Sequence, residues 1–252
     1  MDDRTMREPS RLGVLRQACV ECKACQLHKG AVDPVTPVFG WTAGRAGGPA
    51  DIQAGIDPAA IRLVIVGEAP GSVENRVGRP FVGKAGEVLQ ALMREAGIDL
   101  GTTWITNSVA CFPHGKGERG AVTMTPTPEQ VQRCAGLHLD PQLAALPRAR
   151  VVVALGTTAA AAMLRRREGE VLTFPSRLNT LLAYRPGEHG DARVHEAGER
   201  RVLVTYHPSY LARQGYKGDR TSHGHEEAEA VVKALVAARV LAHSRVTMGG
   251  GL

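Results

Sequence analysis

Five cysteines and one glycine-rich loop hold much of the chemistry this chain can offer. Cys19, Cys22, Cys25, Cys111 and Cys134 are its thiols; Cys22 and Cys25 form a Cys-x-x-Cys pair, and Cys19 and Cys22 repeat that spacing. An intracellular chain seldom stores cysteines as disulfides, and two thiolates three residues apart can both reach one metal centre. If the fold brings Cys111 and Cys134 to the N-terminal pair, four sulfur ligands are complete, a set that suits zinc and an iron–sulfur cluster equally well. Scattered buried thiols are the plainer alternative.

The loop runs Gly67-Glu68-Ala69-Pro70-Gly71 and continues through Gly78-Arg79-Pro80-Phe81-Val82-Gly83-Lys84-Ala85-Gly86. It begins where the apolar run Ile61 to Val66 ends, which reads as a buried parallel strand opening into a loop. Ligands of open α/β sheets sit at such strand ends. Glycine permits unusual φ and proline fixes it, so the backbone is shaped for close approach to a ligand. Phe81, a lone apolar residue among glycines, marks an active-site loop rather than an ordinary connection.

Positioning these groups falls to an alternation of strands and helices. Ile61 to Val66, Thr103 to Ser108, Arg150 to Leu155 and Arg201 to Thr205 are short, apolar and rich in β-branched residues. Between them, Val88, Leu89, Leu92, Met93 and Ala96 recur at helical spacing up to Gly97. Thr127-Pro128-Glu129-Gln130 forms a capped helix start, and a last helix covers roughly His225 to Ala242. The expected fold is therefore α/β: a three-layer sandwich whose central, mostly parallel sheet of four strands is flanked by helices. A single domain over residues 1–248 is expected, with loop insertions near 40–57, 115–126 and 165–200 and a flexible tail at 249–252.

The 252 residues are 43% hydrophobic, enough for one sizeable core, and 31 basic against 25 acidic residues give a net charge of +6. The sequence pI is about 9.3. A basic excess in an intracellular chain suggests a polyanionic partner. The sequence has no run of eighteen apolar residues, and the N-terminus lacks a signal-peptide pattern, so a cytoplasmic, nucleoid-associated monomer with no membrane contact is expected.

In order along the chain, the Cys-x-x-Cys pair, the Gly67 to Gly71 loop, Gly78-Arg79-Pro80-Phe81-Val82-Gly83, Thr106-Asn107, Cys111, Cys134 and His207-Pro208-Ser209 resemble the uracil-DNA glycosylase superfamily. The similarity is greatest to its family-four branch, which carries a [4Fe–4S] cluster, and spans roughly Cys22 to Leu211. The resemblance implies a monofunctional DNA glycosylase of base excision repair that flips a damaged base out of DNA. It makes Cys22, Cys25, Cys111 and Cys134 the ligands of a [4Fe–4S] cluster, with zinc the lesser option and Cys19 an alternative ligand. A structural role is expected for the cluster.

By the same resemblance Phe81 is the stacking face and Asn107 the amide that reads the pyrimidine edge. Gly67, Ala69, Pro70 and Gly71 line the substrate loop. His207 stabilises negative charge on the departing base, while Pro208 and Ser209, with Lys84 and Arg79, contact DNA. Glu74 is the first choice for the carboxylate beside the water and Glu68 the second; either could instead cap loop amides.

The chain also departs from the family's pattern. Glu74-Asn75 stands where Glu-Asp is common, and Ala69 where some relatives have aspartate. Lys116-Gly117-Glu118-Arg119 lacks the histidine pattern of the branch that captures abasic DNA covalently, so covalent capture is not expected. The favoured reading is hydrolysis of the N-glycosidic bond of uracil in DNA, leaving an abasic site. The alternatives are excision of a modified or hypermodified pyrimidine from foreign, phage DNA in antiviral defence, and a non-catalytic DNA-binding scaffold.

Overall fold

Runs of β-branched and apolar residues pair because their backbone donors and acceptors need partners once the side chains leave water. The computed structural model describes residues 10–29, 40–42, 56–117, 120–164, 180–184, 200–216 and 222–244. The strands are β1 (Trp41–Thr42), β2 (Leu63–Gly67), β3 (Thr103–Asn107), β4 (His114–Gly117), β5 (Gly120–Thr123), β6 (Val151–Leu155), β7 (Thr180–Tyr184) and β8 (Arg200–Thr205). Six of them form one sheet in the order β1-β3-β2-β6-β8-β7, and β4 and β5 form a separate pair. Strands β3, β2, β6 and β8 are mutually parallel, while β1 and β7 close the two edges antiparallel.

The four inner strands match the four apolar runs. Every residue of β2, β3 and β6 is buried, as a sheet covered on both faces requires. Alternate residues feed two cores: Val64, Val66, Trp104, Val152 and Val204 point to one face, and Leu63, Ile65, Ile105, Val153 and Leu203 to the other. The helices are α1 (Arg11–Val20), α2 (Ser72–Val77), α3 (Lys84–Glu95), α4 (Pro128–Cys134), α5 (Asp140–Ala144), α6 (Gly156–Leu164), α7 (Pro208–Arg213) and α8 (His225–His243). Leu12 of α1, Val131 of α4, Leu143 of α5 and Met163 of α6 pack in the first core. Leu89 of α3, Leu211 of α7 and Val231 of α8 pack in the second.

Local chemistry fixes the helix ends. The Thr127 hydroxyl accepts the Gln130 amide at 3.3 Å while Gln130 Oε1 accepts the Thr127 amide at 2.9 Å, the reciprocal cap read from the sequence. Past α3, Gly97 turns the chain at φ 65°. Between α4 and α5 the helix widens into one π turn, Ala135–Leu139.

The sheet is larger than expected by its two edge strands. β1 lies in the 40–57 segment and β7 in the 165–200 segment, both expected as loops, and the β4–β5 hairpin replaces most of the expected 115–126 loop. β1 has only two residues and the hairpin is glycine-rich, so neither shows a period-two apolar pattern. Residues 43–55, 165–179 and 185–199 of the expected insertions, and the expected tail at 249–252, lie outside the described residues.

Candidate active site and metal centre

Register brings the chemistry to one end of the sheet. Gly67 ends β2 directly beside Asn107, which ends β3, and β8 delivers His207 two residues after Thr205. A cavity of about 900 Å3 opens there. Glu68, Ala69, Pro70, Gly71 and Glu74 line it, as do Phe81 and Lys84 from the second half of the loop, and Asn107, His207 and Ser209 from the other strands. Gly67 lies just beneath. A Cβ on it would stand 2.4 Å from Phe81 Cζ and 2.5 Å from Asn107 Oδ1, so only glycine lets ring and amide sit side by side over the strand end.

Phe81 has φ 55°, the one non-glycine residue at positive φ among the described residues, and backbone strain of this kind concentrates at functional sites. Gly86 accommodates it: a Cβ there would meet the Phe81 carbonyl oxygen at 1.9 Å. The ring is buried, 5.8 Å from the His207 ring and tilted by 33°.

The two carboxylates differ in what holds them. Glu74 Oε2 accepts the Gly71 amide at 3.1 Å, and Oε1 accepts the Val82 amide at 3.1 Å and the Gly83 amide at 2.8 Å. Both oxygens are spent on the loop, and the residue is only 9% exposed. These contacts make Glu74 a cap for the loop amides, and it also lines the cavity. Glu68 is less enclosed; Thr158 Oγ1 donates to its Oε2 at 2.8 Å. Asn75 is 2% exposed within α2 and is not among the residues that line the cavity.

Asn107 and His207 present unmet hydrogen-bonding atoms. Asn107 Oδ1 is buried without a partner, and so is His207 Nε2, although such buried polar atoms are normally satisfied. His207 Nδ1 accepts the Ser209 amide at 3.1 Å and caps α7. With Nδ1 as acceptor, the neutral ring carries its proton on Nε2. Burial, aided by Arg213, pushes the His207 pKa down to about 4, so the ring is neutral at physiological pH and keeps an unmet N–H donor at Nε2.

Other residues are placed differently from expectation or were not foreseen. Arg79, expected on DNA, lies 5.3 Å over the Trp41 ring and away from the cavity, a cation–π contact. Trp41 also donates Nε1–H to the Pro80 carbonyl at 3.2 Å, so the edge strand braces the Phe81 loop. Pro208 is buried as the first residue of α7. Sequence reading missed the stacked pair Tyr206 and Tyr210, 5.5 Å apart, together with Arg213 at the rim. It also missed Pro113, Thr123, Met124 and Thr125, which wall the cavity on the hairpin side. The pattern Tyr-His-Pro-Ser-Tyr around His207 was the available signal for the tyrosines.

The cysteines do assemble. Cys19, Cys22, Cys25, Cys111 and Cys134 line one small cavity between the end of α1, the chain after β3 and the end of α4. Burial, reinforced by the Cys134, Cys25 and Cys22 thiols, pushes Cys111 up to about 12. Cys134 rises to about 11 through burial, with the Ala110 amide pulling the other way. That amide donates to Cys134 Sγ at 3.3 Å. Arg133 Nη1 donates to the Ala24 carbonyl at 2.9 Å, tying α4 to the Cys-x-x-Cys turn. Cys19 is fully buried, its thiol raised further by burial and by three neighbouring cysteines.

Similarity to known proteins agrees with this geometry. A family model described as the uracil DNA glycosylase superfamily matches residues 54–235. The chain is 31% identical over 200 residues to a type-4 uracil-DNA glycosylase of Thermotoga maritima, covering 79% of this chain and 82% of that protein. It is 29% identical to a type-4 uracil-DNA glycosylase of Pyrobaculum aerophilum, over 79% of this chain and 84% of that one. A type-5 uracil-DNA glycosylase of Thermus thermophilus is 34% identical over 61% of this chain and 66% of its own length.

Proposed function

Since the chain belongs to the uracil DNA glycosylase superfamily, we propose that it hydrolyses the N-glycosidic bond of uracil flipped out of DNA, leaving an abasic site. The observation that carries this reading is the pair of buried, unpartnered atoms, Asn107 Oδ1 and His207 Nε2, on two residues that line one cavity. A uracil edge has a ring N–H to give to Oδ1, and a carbonyl oxygen that can take the Nε2 proton's hydrogen bond.

In this mechanism the extruded base stacks on Phe81 while Asn107 accepts from N3–H and donates its amide to O4. As the bond to the sugar lengthens, negative charge grows on the base, and the neutral His207 donates Nε2–H to the base O2. Glu68 faces the oxocarbenium-like sugar and orients the attacking water. Glu74 acts through the loop: its three amide contacts hold Phe81 and the Gly71 turn in place. Lys84, Ser209 and Arg213 meet the DNA backbone at the rim, where the net charge of +6 favours a polyanion.

The thiols fit a [4Fe–4S] cluster held by Cys22, Cys25, Cys111 and Cys134. They surround one cavity, and the Ala110 amide already donates to one sulfur. When bound, the cluster supplies folding free energy and clamps the N-terminal turn to the chain after β3. Among the described residues no helix is long and apolar enough to cross a membrane, and cytoplasmic action on the nucleoid accords with the reaction.

A second reading is kept because the cavity, at about 900 Å3, lies near the top of the roughly 300–1,000 Å3 range of small-molecule sites, and its hairpin wall leaves room for a substituted pyrimidine. Matched duplexes carrying uracil or a bulky modified pyrimidine, incubated with the protein and then cleaved at abasic sites, separate the two. Uracil release is expected; release of the modified base without uracil release would overturn the first reading, and duplex binding with no release of either would leave only the scaffold.

A further inference from the structure

His138 is the least explained polar side chain near the thiols. It lies on the π turn after Cys134 and is 9% exposed. It lines the same small cavity as the five cysteines, and its Nε2 is buried with no hydrogen-bond partner. An unmet buried ring nitrogen carries its desolvation cost uncompensated, which a sequence has no reason to bear unless a partner occupies the space it faces. The turn that presents it is unusual as well: π turns inside helices are rare and frequently mark functional positions. Gln142 Nε2 donates to the His138 carbonyl at 3.0 Å while its Oε1 accepts from Trp104 Nε1 at 3.1 Å, so the π turn is tethered to β3.

We propose that His138 is a positioning residue for the metal centre, its Nε2–H donating a hydrogen bond to a sulfur of the bound iron–sulfur cluster. This rests on the reading of the cysteine cavity as a [4Fe–4S] site. Sulfurs of such clusters are weak acceptors that carry much of the cluster's negative charge, and N–H···S bonds from the surrounding chain draw electron density from the iron–sulfur bonds and tune the cluster's properties. The Ala110 amide supplies one such bond from the backbone. His138 supplies a second from a side chain, on the opposite flank of Cys134 in the sequence. The imidazole thereby gains the partner it lacks, and the cluster is gripped by the element that follows its last ligand as well as by the ligands themselves.

Resonance Raman spectra of the purified, iron-loaded full chain in H2O and D2O test this. In the wild-type protein the iron–sulfur stretching bands shift on deuteration. In His138→Leu and His138→Met, which remove the donor, the cysteinyl iron–sulfur bands move to higher frequency and part of the deuterium sensitivity is lost. His138→Gln, which keeps a side-chain N–H, restores both toward wild type. Spectra of the Leu or Met variant superimposable on wild type would overturn the proposal, and so would a wild-type spectrum indifferent to D2O, a result that needs no variant to fold. A wild-type protein that binds no iron, by elemental analysis, fails the cluster reading itself, which separates the two failures.

Discussion

Glu74 Oε1 and the Gly83 amide, 2.8 Å apart, tie the first residues of the glycine-rich loop to its last. The same carboxylate takes two further loop amides, so the loop closes on its two oxygens. Amides bonded to a charged acceptor contribute about 1.5–3 kcal/mol each in the absence of coupling.

Glu74→Ala is therefore expected to cost about 2–4 kcal/mol of folding stability, with Glu74→Gln intermediate. Glu68→Gln is expected to slow single-turnover base release while leaving the melting temperature within a degree or two of wild type. Chemical denaturation run beside single-turnover kinetics checks both; a normal melt for Glu74→Ala would show that the amide clamp does not hold the loop.

Asn107→Ala removes a buried acceptor that the free protein leaves unpaired, so stability should hardly change. Base release should fall about 10- to 100-fold, as expected for losing about 1–3 kcal/mol of hydrogen bonding to the substrate. A stability loss as large as the activity loss would contradict the role given to Oδ1.

His207→Ala should lower the rate of base release about 10²- to 10³-fold. The ring also sets a pH dependence. Its folded pKa of about 4 lies below the unfolded value of about 6.5, so between those values the unfolded chain binds more protons than the folded one. Stability from this group is complete above about pH 6.5, declines as the pH falls toward 4 and levels off below it. Denaturant midpoints measured from pH 7.5 to 4 should show that slope in wild type and a shallower one in His207→Gln.

Gly67→Ala places a methyl 2.4 Å from the Phe81 ring. Overpacking of about 1–3 kcal/mol is expected, with the ring displaced into the base site. Uracil release from duplex DNA should fall more steeply than stability, read from KM and kcat against the thermal melt.

Cys134→Ser should lose its visible colour and its iron and melt well below wild type, each kcal/mol costing roughly 2–4 °C in a chain of this size. Cys19→Ser should keep its iron. Iron assay and absorbance on anaerobically purified protein decide between them, and a colourless Cys19→Ser with a coloured Cys22→Ser would exchange the two ligands.

The inner sheet was legible because burial on both faces forces continuous apolar runs, as in Val151–Leu155. The cavity residues were legible through motifs whose types are fixed by close approach, such as Gly67 beneath Phe81. What escaped notice depends on neighbours distant in sequence. Trp41 earns its place by accepting the Arg79 guanidinium over its ring, a contact no local window contains. Thr123 and Met124 reach the cavity through a hairpin whose glycines carry little strand propensity. The split between Glu68 and Glu74 was beyond the sequence for the same reason: both are loop carboxylates, and only the positions of the Gly71, Val82 and Gly83 amides separate their duties.

Asn107 and Cys111 are four residues apart, and the chain between them is fastened at each step. Ser108 bonds the Gly67 carbonyl through both its amide, at 2.9 Å, and its hydroxyl, at 2.8 Å; the Val109 amide bonds the Glu68 carbonyl at 3.0 Å, and Ala110 bonds Cys134. The large cavity at the sheet end and the cysteine cavity thus share a single short tether. A shift of Cys111 would therefore be felt four residues away, at the buried amide that ends β3.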